Sequence, residues 1–447
     1  MLNDFKVGFQ QPRTLQSFFV SENLRDELLS RVEALYAVPD AADPRRSSLP
    51  ASVRTFHSFM PLDELDGAAG KSKMTMFGHA SHVYKCVSSV DGQAYALRRI
   101  EGFRLQSELA LAAVDVWKRV RHPNVAALHH AFVSKEFDGQ NSLCFVYDYF
   151  PGAVTLAQRY LPTPHSPAPP QALPEPVLWS FILQMVSALK AIHSAGLVCR
   201  VLHPSKVVIT GRNRIRLGSA TGILDVISFD GGLNLAHRQY EDLVSLGKFI
   251  LVMACQNAGA VQTAAKSVEQ LAAAYGPDMK SLVLYLLTAK PVLPTIDDVV
   301  ALLAGRFLGE ADRARDAADL LEHELSLELD NGRLFRLIAK LGFINERPGL
   351  DADRRWSETG DRYLLKLFRD YTFHQVYQDG RPAIDFGHVI ETLNKLDAGV
   401  DEKIVLMSRD EQSMLVVSYR DLKNCFADAY SELLKPVAGL SNAAPGF

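Results

Sequence analysis

The stretch ADRARDAADLLEHELSLELDNGRLFRLIAKLGFINERP, Ala311–Pro348, divides the chain, and the remaining segments are placed on one side of it or the other. Its apolar residues recur at three- and four-residue spacing and no proline interrupts it before Pro348, so it reads as one long helix. At 1.5 Å per residue, 311–341 would span roughly 46 Å, beyond a routine helix of a compact domain. Two seams run along it: Ala314, Ala318, Leu321, Leu325, Glu328, Gly332, Phe335 and Ala339, and Ala317, Leu320, Glu324, Leu327, Asn331, Leu334, Ile338 and Leu341. This spacing keeps a coiled-coil seam facing a partner. Residues 308–347 are therefore expected to form a coiled-coil dimerisation helix, with Leu320, Leu321, Leu325, Leu327, Asn331, Leu334, Phe335 and Ile338 meeting a second copy. Glu324 and Asn331 on one seam are expected to fix the register. The joint apolar face is wider than a two-stranded coil needs, which implies packing on a second surface; the plainer reading is an amphipathic helix covering its own domain. Gly332 inside the run is expected to mark a kink at Asn331 and Gly332.

The 447 residues suit two or three domains. With 48 Lys+Arg against 51 Asp+Glu the net charge is −3, so bulk charge announces neither a nucleic-acid nor an acidic-membrane partner, and leaves room only for a local basic patch. Apolar runs such as 282–287 are too short for a bilayer and no signal-peptide pattern opens the chain, so an intracellular protein without a membrane span is expected. Cys86, Cys144, Cys199, Cys255 and Cys425 lie far apart without ligand spacing, and read as buried free thiols rather than a zinc site.

Before the dividing helix, residues 1–50 read as a lead-in, a helical stretch around 15–38 with Leu24, Leu28, Leu29, Val32 and Leu35 on one face, and a linker from Pro39 to Pro50. Two strands, HVYKCVSS and QAYALRRI, flank an Asp91-Gly92 hairpin turn. A helix over 106–120 then closes at His122-Pro123, followed by strands at 125–133 and 143–150. Downstream come CFVYDYFPG, the helix WSFILQMVSALKAIHSAG, LVCRVLHPSKVVI and YEDLVSLGKFI. In this order the segments resemble a protein kinase, the third following the catalytic-loop pattern IVHRDLKPENIL position by position. The resemblance implies an α+β, two-lobed protein-kinase-like fold over 51–307, with a proline-rich insertion at 161–176.

Kinase chemistry needs a base Asp, two metals held by an Asp and an Asn, and a Lys braced by a helix Glu. Aligned on MFGHASHVYK, the three loop glycines become Met76, Gly78 and Ser81, and the lysine becomes Arg98. The helix Glu becomes Ala113, with Glu108 the nearest upstream acid. Cys199-Arg200-Val201 replaces His-Arg-Asp, and Val201 cannot accept a proton. His203 stands for the loop lysine, and Lys206 for the metal-binding Asn. The metal-binding Asp falls on Ser219, or on Ala220 if Gly222 is the motif glycine. The domain is thus expected to be a pseudokinase without catalytic or metal residues, and Asp242 to hold the backbone of the 199–203 loop. Lys206 is either a solvated surface charge or a stand-in for the missing metal. The pocket expected to bind ATP, without a strict Mg²⁺ requirement, is walled by Gly78, His79, Ser81, Arg98, Tyr147, Asp148, Tyr149 and Lys206. The alternative from the enzyme class is a low-activity unconventional kinase using Glu108 or Asp225.

Past a polar bridge at 348–359, helical periodicity at 362–377 and 385–396, strand-like runs at 403–407 and 414–418, and a final helix suggest a small α+β domain within 348–447. His374 and His388 read as packing or hydrogen-bonding residues. The blocks ELSLELDNGRLFRLIAKLGFINERP, FRDYTFHQVYQDGRP and LNKLDAGVDEKIVLMSRDEQSMLVVSY are similar to subunit 3 of the poly(A)-nuclease (PAN) deadenylation complex, its regulatory pseudokinase family. The resemblance implies a cytoplasmic, P-body-associated scaffold that dimerises through the long helix and binds ATP. It also implies docking of the catalytic exonuclease subunit, recruited to poly(A) RNA, and makes residues 348–447 a C-terminal knob-like domain. Family members carry, in their N-terminal regions, a CCCH zinc finger and a peptide motif for poly(A)-binding protein. Neither feature is in this sequence, which is read as a C-terminal core or a short isoform. Animal members add a pocket for tryptophan motifs of silencing scaffold proteins.

Overall fold

Alternating β-branched and aromatic residues, punctuated by Asp-Gly and His-Pro breaks, set the element order of the first half. The computed structural model describes residues 15–40, 43, 48–63, 75–76, 78–103, 105, 108–162, 173–228, 234–346, 360–377, 379–408, 410 and 412–434. The expected lead-in at 1–14, most of the proline-rich insertion and the bridge at 348–359 lie outside these. Contacts divide the chain into one unit of residues 27–314 and a second of residues 1–26 with 315–447.

In chain order, α1 (Glu22–Tyr36) precedes β1 (Ser52–Val53), β2 (Phe56–Pro61), β3 (Thr75–Met76), β4 (His79–Ser88) and β5 (Ala94–Glu101). Then come α2 (Ala112–Trp117), β6 (Leu128–Ser134), β7 (Ser142–Asp148), β8 (Val154–Thr155) and α3 (Leu156–Tyr160). The first lobe is an antiparallel sheet of order β1-β2-β4-β5-β7-β6, with β3 pairing the near end of β4. Register puts Val83 opposite Arg98, and Arg98 opposite Phe145, so Arg98 sits in the middle of the sheet. The helix expected over 106–120 is shorter: a 3₁₀ turn at Glu108–Leu111 leads into α2, whose Val114 and Trp117 are buried.

The second lobe is built on α4 (Glu175–Ser194), with β9 (Val207–Gly211), β10 (Arg214–Leu217), α5 (Ile223–Ile227), α6 (Leu235–Cys255), α7 (Ala264–Leu287) and α8 (Ile296–Leu302). By length and composition α4 could cross a membrane, a feature the short-run reading passed over, yet most of it is buried in the core of this lobe. Gly276, at φ +82, and Pro277 kink α7; only glycine takes that conformation freely, and proline removes a helical donor.

α9 runs unbroken from Ala304 to Asn345, longer than the expected 311–341, and the kink expected at Asn331 and Gly332 is absent from this conformation. Helical hydrogen bonding carries Gly332 through at the usual propensity cost. In the second unit, α10 (Asp361–Phe373), α11 (Phe386–Ala398), the β11 (Lys403–Met407) and β12 (Met414–Ser418) ribbon and α12 (Tyr419–Leu434) enclose a core that includes Phe368, Leu393, Leu406, Tyr419 and Leu422. Leu334, Leu337 and Leu341 of α9 and Phe18 enter the same core. Leu334 is therefore no dimer contact, because its own chain already buries it. His374 pairs with Asp370 at 2.7 Å and the His388 ring meets the Tyr371 carbonyl, the packing roles expected of both.

Leu334→Ala is expected to cost the second unit about 2–5 kcal/mol, whereas Leu325→Ala, at a residue 60% exposed, should change monomer stability by under about 0.5 kcal/mol. Hydrogen exchange across 360–434, read in both variants at a concentration where the chain is monomeric, measures the difference.

Candidate functional site

The degenerate cleft is assembled from β4, β5 and the loops on either side of β9 and β10. Arg98 is buried and donates from Nη1 to Ser81 Oγ at 2.9 Å, from Nη2 to Ser219 Oγ at 3.1 Å, and from Nε to the Ser219 carbonyl. This contact settles the counting: Ser219, not Ala220, occupies the slot of the metal-binding aspartate. A charged pair has become a cation held by two serines. Three of the five guanidinium donors are used among the described residues.

Lys206 is half-buried in the same cleft. Burial, then the charge of Arg98, holds its ammonium below the usual lysine range, while Asp63 opposes the shift. It is not the freely solvated surface charge of the plainer reading. Asp63 was missed in the sequence, where PLDELD carries no recognisable kinase landmark. It is buried, accepts the Val83 N–H at 2.7 Å, and its charge also favours the Arg98 cation. Gly78 is exposed at φ +82 with open space where a Cβ would stand, as a backbone approaching an anion requires.

The other expected wall residues are committed elsewhere. The His79 ring packs edge-on against Phe103 at 5.3 Å. Tyr147 is fully buried and its hydroxyl donates to the Thr221 carbonyl at 2.6 Å. Asp148 accepts from Ala127 N at 2.9 Å and meets the His129 ring at 2.7 Å, and the Tyr149 hydroxyl donates to the Ala34 carbonyl at the end of α1. The side chains of His79, Tyr147, Asp148 and Tyr149 are thus each engaged by the chain's own groups.

No described group serves as a base. Val201 is buried in the base slot. Asp242 accepts from Cys199 N at 2.7 Å and Arg200 N at 2.8 Å and meets the His193 ring at 2.9 Å, which is the structural role expected of it. Asp225 is held by Trp117 Nε1 at 2.7 Å and lies 3.5 Å from Arg200, and burial pushes its carboxyl up. Trp117 also covers Gly222, where a Cβ would stand 3.0 Å from the indole, so α2 and α5 lock together without the usual Lys–Glu pair. The side chain of Glu108 lies outside the described residues.

Along α9, Leu320, Leu321, Leu325, Phe335 and Ile338 are exposed, as are Leu329 and Phe343. Leu327 is half-buried. Glu324 accepts the Ser21 N–H at 3.0 Å, and Asn331 Nδ2 donates to the Phe18 carbonyl at 3.3 Å, so these two strap the chain's own N-terminal segment instead of setting a dimer register. The free apolar row is the seam of Leu321, Leu325 and Phe335.

Residues 76–219 match the protein kinase domain family and residues 296–433 the Pan3 C-terminal knob domain. The solved structure of the Drosophila melanogaster PAN3 pseudokinase is similar at 42% identity and a TM-score of 0.75, covering 86% of this chain and all of that one. The chain belongs to the PAN3 family. Its Dictyostelium discoideum relative, subunit pan3 of the PAN2-PAN3 deadenylation complex, is 54% identical over 94% of this chain and 56% of its own length. The human subunit is 42% identical over 97% of this chain. The chain spans between about half and two thirds of these curated PAN3 relatives. PAN3 of Neurospora crassa, solved in complex with PAN2, is 35% identical with a TM-score of 0.82 over 93% of this chain. This PAN3-family chain is a pseudokinase: it lacks the kinase residues at Val201, Lys206 and Ser219 while keeping the fold.

Asp242→Ala would strand two backbone donors and a buried histidine, each unsatisfied group costing roughly 1–3 kcal/mol. Thermal unfolding of the 27–314 unit should therefore shift down by several degrees or more.

Proposed function

We propose that the chain is a non-catalytic, cytoplasmic regulatory subunit of a deadenylation complex. It forms a homodimer, holds ATP in its degenerate cleft, and recruits the catalytic exonuclease to poly(A) RNA. The observation that carries this reading is the 54% identity to a deadenylation-complex subunit across nearly the whole chain. The loss of base and metal ligands fits a scaffold and speaks against an unconventional kinase, since Asp225 is already held by Trp117 and Arg200.

For the cleft, Arg98, the half-buried Lys206 and the open backbone at Gly78 fit an anionic phosphate group without a divalent ion. ATP would supply only charge and shape; the chain's own residues bind and orient it, and none is placed to move a proton. For the dimer, the exposed row Leu321, Leu325 and Phe335 is the surface a second copy would cover. Binding of the PAN2-type subunit is supported by the Neurospora crassa PAN3 that was solved in complex with PAN2.

The deciding experiment mixes the full chain with the catalytic exonuclease and follows co-elution, mass and poly(A) shortening. Complex formation and faster shortening are expected, and their joint absence would refute the scaffold reading. Leu321→Asp with Leu325→Asp should convert the chain to a monomer by light scattering while leaving each unit folded.

An ATP analogue should bind in chelator, and Lys206→Met should weaken it about tenfold or more. Because phosphate binding favours protonated Lys206, whose pKa the cleft lowers from 10.5, affinity should fall as pH rises through that lowered value. Calorimetric titration at several pH values checks this, and the Met variant should lose the dependence.

A further inference from the structure

On the 27–314 unit, away from the contacts of Arg98, the β9–β10 hairpin carries Arg212, Arg214 and Arg216 at alternate positions. Arg214 and Arg216 alternate with the buried Ile215 and Leu217, so both leave the same face of β10, about 6.8 Å apart along the strand. Arg216 is fixed in place: its Nε donates to the Pro123 carbonyl at 2.8 Å, an Nη bonds Thr210, and its guanidinium lies 4.3 Å from the centroid of the Phe150 ring. Arg31, on α1, flanks the hairpin, its Nη2 only 3.2 Å from where a Cβ would stand on Gly211.

Among the described residues these cations are only partly neutralised within the chain. Glu27 is paired with Arg31, and Asp148 already binds His129 and the Ala127 N–H. Among the described residues Arg212 and Arg214 have no carboxylate partner, and both are exposed. Arg121 adds a further positive charge near Asp148. Burial, followed by the charge of Arg214, disfavours the Arg216 cation, Asp148 favours it and Arg31 again disfavours it, and the charge of Arg214 reaches His122 as well. A fold that holds like charges together, with Arg212 and Arg214 lacking a carboxylate partner among the described residues, presents a surface for an external anion. All the cations are arginines, whose planar fork grips phosphate oxygens two at a time, and the stacked Phe150–Arg216 pair gives the surface a rigid floor.

We propose that this hairpin, with Arg212, Arg214 and Arg216 flanked by Arg31, docks the phosphate backbone of single-stranded RNA. The choice of RNA over an acidic peptide rests on the deadenylation reading above; the presence of an anion-binding surface does not. The contact is made to the backbone, so it positions the strand without reading its bases.

The test uses the full chain, fluorescence anisotropy and labelled oligoadenylate or oligouridylate of about 20 nucleotides, longer than one single-strand site. Binding is followed from roughly 50 to 200 mM salt. The wild type should bind both oligomers. Arg212→Glu with Arg214→Glu should weaken both by about tenfold or more and flatten the salt dependence by about 1 in slope, while Lys266→Glu, on an exposed face of α7, should leave binding unchanged. Should the double variant fail to fold, Arg212→Ser alone at the turn should still weaken binding severalfold. Unchanged RNA binding by a folded hairpin variant would overturn the site and leave the scaffold reading standing. No RNA binding by the wild type would overturn both the RNA part of that reading and this inference. Displacement by polyglutamate as effective as by oligouridylate at equal ionic strength would overturn the RNA assignment in favour of acidic peptides.

Discussion

A single buried carboxylate holds the degenerate cleft in shape. Asp242 is 1% exposed, and an ionised group at such depth is tolerated only when its lone pairs are filled. They are filled by the Cys199 and Arg200 N–H groups and the His193 ring, which fixes the 199–203 loop. That loop places Lys206, whose N–H is tied to the His203 carbonyl and whose own carbonyl receives the Gly218 N–H at 2.8 Å. Gly218 in turn sets Ser219, and Ser219 holds Arg98. Val201 at the base slot is no link in this chain of contacts, and at the metal-ligand slots Lys206 and Ser219 keep their places through backbone groups and Arg98, which need no carboxylate or amide side chain there.

The same distinction explains what could be read from residue order. Asp242 and the pseudokinase fold were legible because fold-bearing positions keep their chemistry: the alternation in β4 and β5, the apolar run of α4 and the buried face of α6. The commitments of Tyr147, Asp148 and Tyr149 were not, since nothing in CFVYDYFPG says that a tyrosine hydroxyl reaches the Thr221 carbonyl or that an aspartate turns toward His129. Asp63 was invisible for a related reason. It acts through a backbone N–H and through space on Arg98 and Lys206, and neither relation leaves a spacing in sequence.

Along α9, periodicity identified a helix and an apolar face wider than one partner needs, and the structure divides that width. Leu334, Leu337 and Leu341 serve the chain's own terminal core, while Leu321, Leu325 and Phe335 remain outside. Heptad counting could not make this division, because a residue buried against its own domain and one buried against a second copy obey the same spacing. Asn331 shows the difficulty at one residue: a polar side chain at a seam position suggested a register device, and it instead caps the carbonyl of Phe18.

That strap also constrains how the molecule is made. Ser21 meets Glu324 across 303 residues of sequence, and Asn331 meets Phe18 across 313. During synthesis Phe18 and Ser21 must therefore wait for residues 324–331 before they find these partners, while the 27–314 unit can close around its own core in the meantime. Contacts of such separation form late because the loop entropy must be met before they contribute. The terminal core that receives Phe18 is complete only after synthesis has passed the residues of α12.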